Sequence, residues 1–182
     1  MTPTHPPGRV AIPALPKQSP TPPSRTRLEG FNSASPPEAH HTLLTCLNSL
    51  RWARRIAAHR PYPDLDSLLA AADEAAYDLT AGDLTEALAG ESLPPLPDDV
   101  YGAAHTALSA AHAAYETRFG HAFVIYVGDA PANETLDRTL EAIRSRLTND
   151  PEEERVVAAE QLRRLARGRL MGMLRGAGNR AT

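Results

Sequence analysis

The sequence predicts an all-α fold: a single compact helical domain of about seven helices, with a disordered proline-rich leader before it and a short disordered tail after it. Three observations carry that prediction. The 42% hydrophobic content comes mostly from Ala and Leu, with only 5% aromatic residues, a balance that favours helices over sheets. Apolar residues recur at spacings of three and four in one stretch after another. Finally, 10 of the 17 prolines fall within residues 1–37, so the helix breakers crowd at one end and leave the rest of the 182-residue chain free to coil. Roughly 145 residues then remain for the domain, enough to bury about two thirds of the surface their unfolded chain exposes.

Residues 1–30 set Arg9, Lys17, Arg25 and Arg27 against one acid, Glu29, among Pro, Thr and Ser. Such a segment buries too little apolar surface to offset its ordering entropy, so it reads as a disordered leader. The domain, residues 31–175, opens at Phe31. Ser35 followed by Pro36, Pro37 and Glu38 has the form of a capping box with proline in the first turn. Leu43, Leu44 and Leu47 give the helix that follows, about 36–47, an apolar face. A second helix carries Leu50, Trp52, Ala53 and Ile56 and must stop at Arg60-Pro61-Tyr62-Pro63, because a residue before proline avoids the helical region. Asp66 is placed to cap a third helix with Leu68, Leu69, Ala72, Ala76 and Leu79 inward. Asp83 with Glu86 suggests a capped fourth helix that ends near Gly90.

Pro94, Pro95 and Pro97 force an extended connection, and Asp98 or Asp99 then starts a fifth helix that runs to Thr117. Phe123 to Val127 is a β-prone run between Gly120 and Gly128. A single strand has nothing to pair with, so the expectation is an extended or short helical segment packed among helices. A sixth helix spans about Asn133 to Leu147, and Asp150-Pro151-Glu152-Glu153 opens a seventh that reaches Leu174. Residues 176–182 form the disordered tail. The expected core includes Trp52, Leu69, Tyr115, Phe119, Phe123, Ile125 and Leu147.

Composition excludes several functions. A net charge of −3 and a pI near 6.2 give no whole-chain reason to expect nucleic acid or membrane as partner. Cys46 is the single cysteine, which rules out an intrachain disulfide and a thiolate zinc site and makes it a small core residue. No apolar run reaches the roughly 18 residues of a membrane span, and the leader lacks a signal peptide's apolar centre. The expected location is cytoplasmic. Phosphate-cradling glycine loops, His-Glu-x-x-His and Gly-x-Ser-x-Gly are all absent, so no cofactor and no metal is expected. His105 and His112 fall near one face of a helix and make at most half a metal site, so the plain reading is solvated or core-edge histidines. Arg163, Arg164, Arg167 and Arg169 form a basic run without interleaved aromatics, and Glu160 lies four residues before Arg164, as on a solvated helix face.

Four stretches together carry a family resemblance. They are Phe31-Asn32-Ser33; Arg51-Trp52-Ala53 with Arg60-Pro61-Tyr62; the run from Ala113 through Tyr115, Arg118, Phe119 and Gly120 to Ile125; and Arg146-Leu147-Thr148-Asn149-Asp150 with Glu154, Ala158, Glu160, Arg169 and Leu170. In this order and spacing the chain resembles the 2-oxo-4-hydroxy-4-carboxy-5-ureidoimidazoline (OHCU) decarboxylase family of urate breakdown. The resemblance implies an all-helical domain, often a homodimer, that acts on a small ureidoimidazoline without metal or organic cofactor. It also implies a substrate-facing wall at Phe123, Val124, Ile125, Tyr126 and Val127. The family's proposed acid, a histidine in a His-Pro-x-φ-Gly motif (φ, apolar), aligns with Glu91, followed by Ser92 and Leu93. Its substrate-binding Ser-x-x-Glu-Gln segment has no counterpart. Glu91 and His112 are therefore the candidates for a substitute acid. A relative that binds a ligand or a partner without turnover is the alternative.

Overall fold

Every regular element in the described part of the chain, residues 26–92, 102–128 and 130–175 of a computed structural model, is an α-helix. In order these are α1 (Arg27–Ser33), α2 (Pro36–Cys46), α3 (Leu50–Ala58), α4 (Leu65–Tyr77), α5 (Ala81–Ala89), α6 (Gly102–Phe119), α7 (Ala132–Arg146) and α8 (Pro151–Arg175). The helix starts expected at Asp98 or Asp99, most of the leader and the tail lie outside the described residues.

The caps explain where the helices start. At α2 the expected box forms: the Glu38 carboxylate accepts from the Ser35 N–H at 2.9 Å. Two other starts differ from expectation. Asp64, not Asp66, caps α4, accepting from the Ser67 N–H at 2.7 Å. Thr80 caps α5 and uses Asp83 as its reciprocal acceptor at 2.9 Å, so Asp83 sits in the first turn instead of in front of it. One helix was not expected. Thr26 and Glu29 close a capping box around α1, which takes in Arg27 to Gly30, residues assigned to the leader. Its seven residues are too few to display a helical period, and its anchors are tertiary: Phe31 is buried, and Arg27 donates to the Met173 carbonyl of α8 at 2.9 Å.

Helix α8 is the axis of the fold. Its 25 residues span about 37 Å at 1.5 Å per residue, and α1, α2, α4 and α5 pack along it. Helix α3 bridges α2 and α4, where the fully buried Trp52 donates its indole N–H to the Ala72 carbonyl at 2.9 Å. Leu43, Leu47, Ile56, Leu68, Leu69, Leu162 and Leu170 fill this first core, with Cys46 buried among them. A second, smaller core lies between α6 and α7, where Leu108, Tyr115, Phe123 and Ile143 meet. Phe119, Ile125 and Leu147, expected inside, are only half-buried at its edge. The segment between the two helices, Gly120 to Val127, has no regular structure, as its lack of a partner strand implied.

Candidate functional site

The site begins with that irregular segment. Gly120 has φ of 74°, a left-handed conformation that lets the chain leave α6 abruptly and run back extended. Side chains hold the extended backbone where a partner strand would otherwise do so. Arg146 donates through Nη1 to the Val124 carbonyl at 2.6 Å, and the Tyr126 N–H donates to Gln161 Oε1 at 2.8 Å.

Behind this wall lies a buried ion pair. Arg146 donates from Nε and Nη2 to Glu154 Oε1 at 2.9 and 2.5 Å, and its guanidinium lies 4.4 Å from the centre of the Phe123 ring. The Tyr115 hydroxyl donates to the same Glu154 oxygen, and Asn149 donates to the other at 2.8 Å. Glu154 is fully buried with both oxygens satisfied, which makes it a structural anion, not a free acid. Burial, reinforced by the bond to Glu154, pushes the Tyr115 phenol well above its ordinary value, so it remains a donor.

In front of the wall is a cleft of about 390 Å³. Phe123, Val124, Ile125, Tyr126, Val127 and Gly128 form one side, Thr135 and Thr139 of α7 face them, and Leu165 and Arg169 of α8 form the floor with Glu91 and Ser92. Tyr126 is the most exposed of the five predicted wall residues. Glu91 arrives there because α5 ends hard against the α2–α3 turn: a Cβ on Gly90 would lie 2.5 Å from the Asn48 side chain, so only glycine fits. The Glu91 side chain is 6% exposed, and both of its oxygens accept from Arg169, Nη1 and Nη2, each at 2.7 Å. Arg169 also donates to the Cys46 carbonyl at 3.0 Å. Pairing with Glu91, opposed by partial burial, raises the Arg169 pKa above its ordinary value.

His112, the other candidate acid, does not line the cleft. It is buried behind the wall, 5.9 Å from Phe123 between ring centres, and its Nε2 has no hydrogen-bond partner. Burial, partly offset by Glu116, lowers its pKa. The arginine run is paired throughout: Arg163 with Asp73 and Glu160, Arg164 with Glu160 at 2.8 Å as the spacing implied, Arg167 with Asp73, and Arg169 with Glu91. The Asp73 pairs tie α8 to α4 and the Glu91 pair ties it to the segment after α5, where a solvated face was expected, while the Arg164–Glu160 pair lies within α8 itself. Among the described residues, no three His, Cys, Asp or Glu side chains converge as metal ligands would, and no helix is long and apolar enough to cross a membrane. A smaller hollow of about 220 Å³ beside Tyr77, Leu84 and Val156 is mostly apolar, and its charged residues Glu160 and Arg163 are already paired.

Sequence reasoning therefore named the wall and Glu91 but not Arg169, Thr135 or Thr139 as cleft residues. Arg169 carried a signal in the family resemblance. The threonines' only signal was their spacing of four on one helix.

A family model described as OHCU decarboxylase matches residues 32–99 and 98–171. No curated protein matches the chain. Among solved structures, the crystal structure of (S)-allantoin synthase is similar with a TM-score of 0.62 and 21% identity, over 81% of this chain and 54% of that one. The chain thus spans about half the length of that protein. The crystal structure of OHCU decarboxylase in the presence of (S)-allantoin is similar with a TM-score of 0.63 and 18% identity, over 73% of this chain and 96% of that one. At these identities the two structures share the fold with this chain.

Proposed function

The chain belongs to the OHCU decarboxylase family, and we propose on that basis that it is an OHCU decarboxylase-like protein of urate-to-allantoin breakdown whose small-molecule site is the cleft in front of the 123–128 wall. One observation carries this reading: the five expected wall residues, Glu91 at the position of the family's acid, and the cation Arg169 all line one cleft.

The chemistry such a site would perform needs no cofactor. The bond from the ring carbon to its carboxylate breaks, carbon dioxide leaves, the electron pair passes into the imidazolinone ring, and one proton returns to carbon on a single face. The protein has to orient the ring, exclude water and place that proton. In this reading the wall takes the ring, and Arg169 is, among the described residues, the cation in the cleft lining that can attract a carboxylate. Within the cleft Glu91 is the candidate for the acid, since His112 lies behind Phe123.

A second reading, a relative that binds the ligand without turnover, is favoured by one feature. Glu91 already has both oxygens on Arg169, so it serves as an acid only if that pair opens and it gains a proton. Freshly generated OHCU, followed by the optical activity of the allantoin formed, separates the readings. A positioned acid contributes about 100 to 10,000-fold. Turnover above the spontaneous rate with one enantiomer in excess supports the enzyme. Racemic allantoin at the spontaneous rate leaves the binding reading.

A further inference from the structure

We propose that the protein has a second ligand site outside the cleft, a basic hollow bordered by Tyr126 that binds a phosphate group, free or carried on a small molecule. The hollow, of about 390 Å³, lies between Tyr126 and the Arg163, Arg164 and Arg167 side chains of α8, and Asp73 of α4 also lines it. None of these three arginines lines the cleft, so the site does not depend on the reading of the cleft as a ureide site.

The first argument is the hydrogen-bond inventory. A guanidinium has five N–H donors. Arg163 donates from Nε and Nη2 to Glu160 at 2.9 and 2.8 Å, and from Nη1 to Asp73 at 2.7 Å. Arg164 donates from Nε alone, to Glu160 at 2.8 Å, and Arg167 from Nη1 alone, to Asp73 at 2.5 Å. Among the described residues this leaves Nη1 and Nη2 of Arg164, and Nε and Nη2 of Arg167, without a partner. Each is a pair of donors with the spacing that oxyanions fit, and side chains three apart on a helix are neighbours. The acids, by contrast, have every oxygen engaged: both of Asp73 and both of Glu160 accept from these arginines.

The second argument is charge and access. Three guanidiniums against two carboxylates leave the cluster net positive. The Arg164 and Arg167 side chains are 50% and 39% exposed, so a ligand can reach the unused donors. The Tyr126 ring rests on α8 at Gly168, where a Cβ would come within 3.0 Å of its Cε2 atom. Together with Met171 it offers the organic part of a phosphate ester an apolar flank. A carboxylate saturates one donor pair with its two oxygens and leaves the other pair unused. Phosphate, with more oxygens, can accept from both pairs at once.

The test is an amide chemical-shift titration of the full chain at constant ionic strength. The probes are inorganic phosphate, glycerol 3-phosphate and acetate, with hydantoin, a neutral cyclic ureide, reporting on the cleft. Both phosphates should shift Gly168 and Met171 and saturate, and acetate should bind at least about threefold more weakly. Tighter binding of the ester marks an organic phosphate as the ligand, and equal binding marks free phosphate. Arg164→Gln and Arg167→Gln should each weaken phosphate at least about fivefold, and Arg167→Lys, which keeps the charge and loses the donor pair, should weaken it too. In Arg164→Gln the hydantoin midpoint, read at Ile125 and Val127, should stay within about twofold of wild type. Circular dichroism checks each variant's fold. Should Arg167→Gln not fold, Arg164→Gln, whose lost pair lies within α8, and the wild-type ratio of phosphate to acetate decide. Shifts that never saturate, no preference over acetate, or full phosphate binding by Arg164→Gln overturns the inference. Loss of hydantoin binding along with phosphate in Arg164→Gln also overturns it, by showing one site instead of two. If hydantoin shifts nothing in wild type, the phosphate results still decide and only the reading of the cleft falls.

Discussion

The body of the molecule around α8 and its flank between α6 and α7 are held together in different ways. The body buries Leu43, Leu47, Ile56, Leu68, Leu69, Leu162 and Leu170 together with Trp52, and its one fully buried polar side chain, Ser49, is a helix cap. Among the described residues the flank has Leu108, Tyr115, Phe123 and Ile143 as its cluster of buried hydrophobics, and it encloses Arg146, Glu154 and His112 as well. An aliphatic core is non-directional and tolerates approximate positions. An ion pair that also fixes the Val124 carbonyl does not. The cleft lies on the second kind of support, so the wall's geometry depends on directional bonds while the fold depends on area.

Breaking each support should therefore have a different signature. Glu154→Ala leaves the Arg146 charge buried and unpaired, and should cost about 3–5 kcal/mol in urea unfolding. The double change Arg146→Met with Glu154→Leu should recover most of that stability, because it removes both charges. It should still weaken hydantoin binding, since the Val124 carbonyl loses its donor. Recovery of both stability and binding would mean that the network supports only the fold. In the body, Leu43→Ala should cost about 2–5 kcal/mol but leave the affinity for hydantoin within about twofold, a result that chemical-shift titration of the surviving folded fraction can read.

The same contrast explains what could be read from sequence. Helical periodicity marks residues that bury area, so Trp52, Leu69 and the faces of α2 to α5 were legible, as was the unpaired segment after Gly120. Cap positions were legible to within two or three residues, since Asp64 competes with Asp66 and Thr80 with Asp83 for the same role. The arginines of α8 looked like a solvated stripe because Asp73, the partner of Arg163 and Arg167, and Glu91, the partner of Arg169, are far away in sequence. Arg146 and Glu154 stood in a resemblance without a role, as no local pattern announces a pair that closes over a separate loop. Helix α1 was missed for the same reason: its stabilising contact is to Met173.

A smaller effect is expected where an ion pair is partly solvated. Glu160, whose side chain is 31% exposed, has its carboxyl pulled down to about 2 mainly by the hydrogen bond from Arg163. Glu160→Gln should cost less than about 1 kcal/mol at pH 7. A lowered carboxyl pKa contributes stability that is present above the unfolded value and is lost as pH falls through the folded one. The difference between wild type and Glu160→Gln should thus shrink between about pH 4.5 and pH 2, measured by thermal melts across that range. A difference that is flat with pH would mean that the pairing is absent in solution.

The smallest expected effect probes the flank from within. Burial lowers the pKa of His112 below the ordinary 6.5, and the nearby Glu116 opposes that shift without cancelling it. In the folded chain the neutral ring is therefore favoured, and between the two values the unfolded chain binds more protons than the folded one. Stability must then rise with pH through that window: the contribution is intact above about 6.5 and is lost as pH falls toward the folded value. His112→Phe removes the titration while keeping a ring against Phe123, and it also removes the Nε2 atom that has no partner. The melting temperature of wild type minus that of His112→Phe should consequently become more negative between pH 7.5 and pH 5.5. Taking the difference cancels contributions that the two proteins share. A difference independent of pH would mean that water reaches the His112 ring, and the flank would then be looser than the aliphatic body in just the place where the wall is anchored.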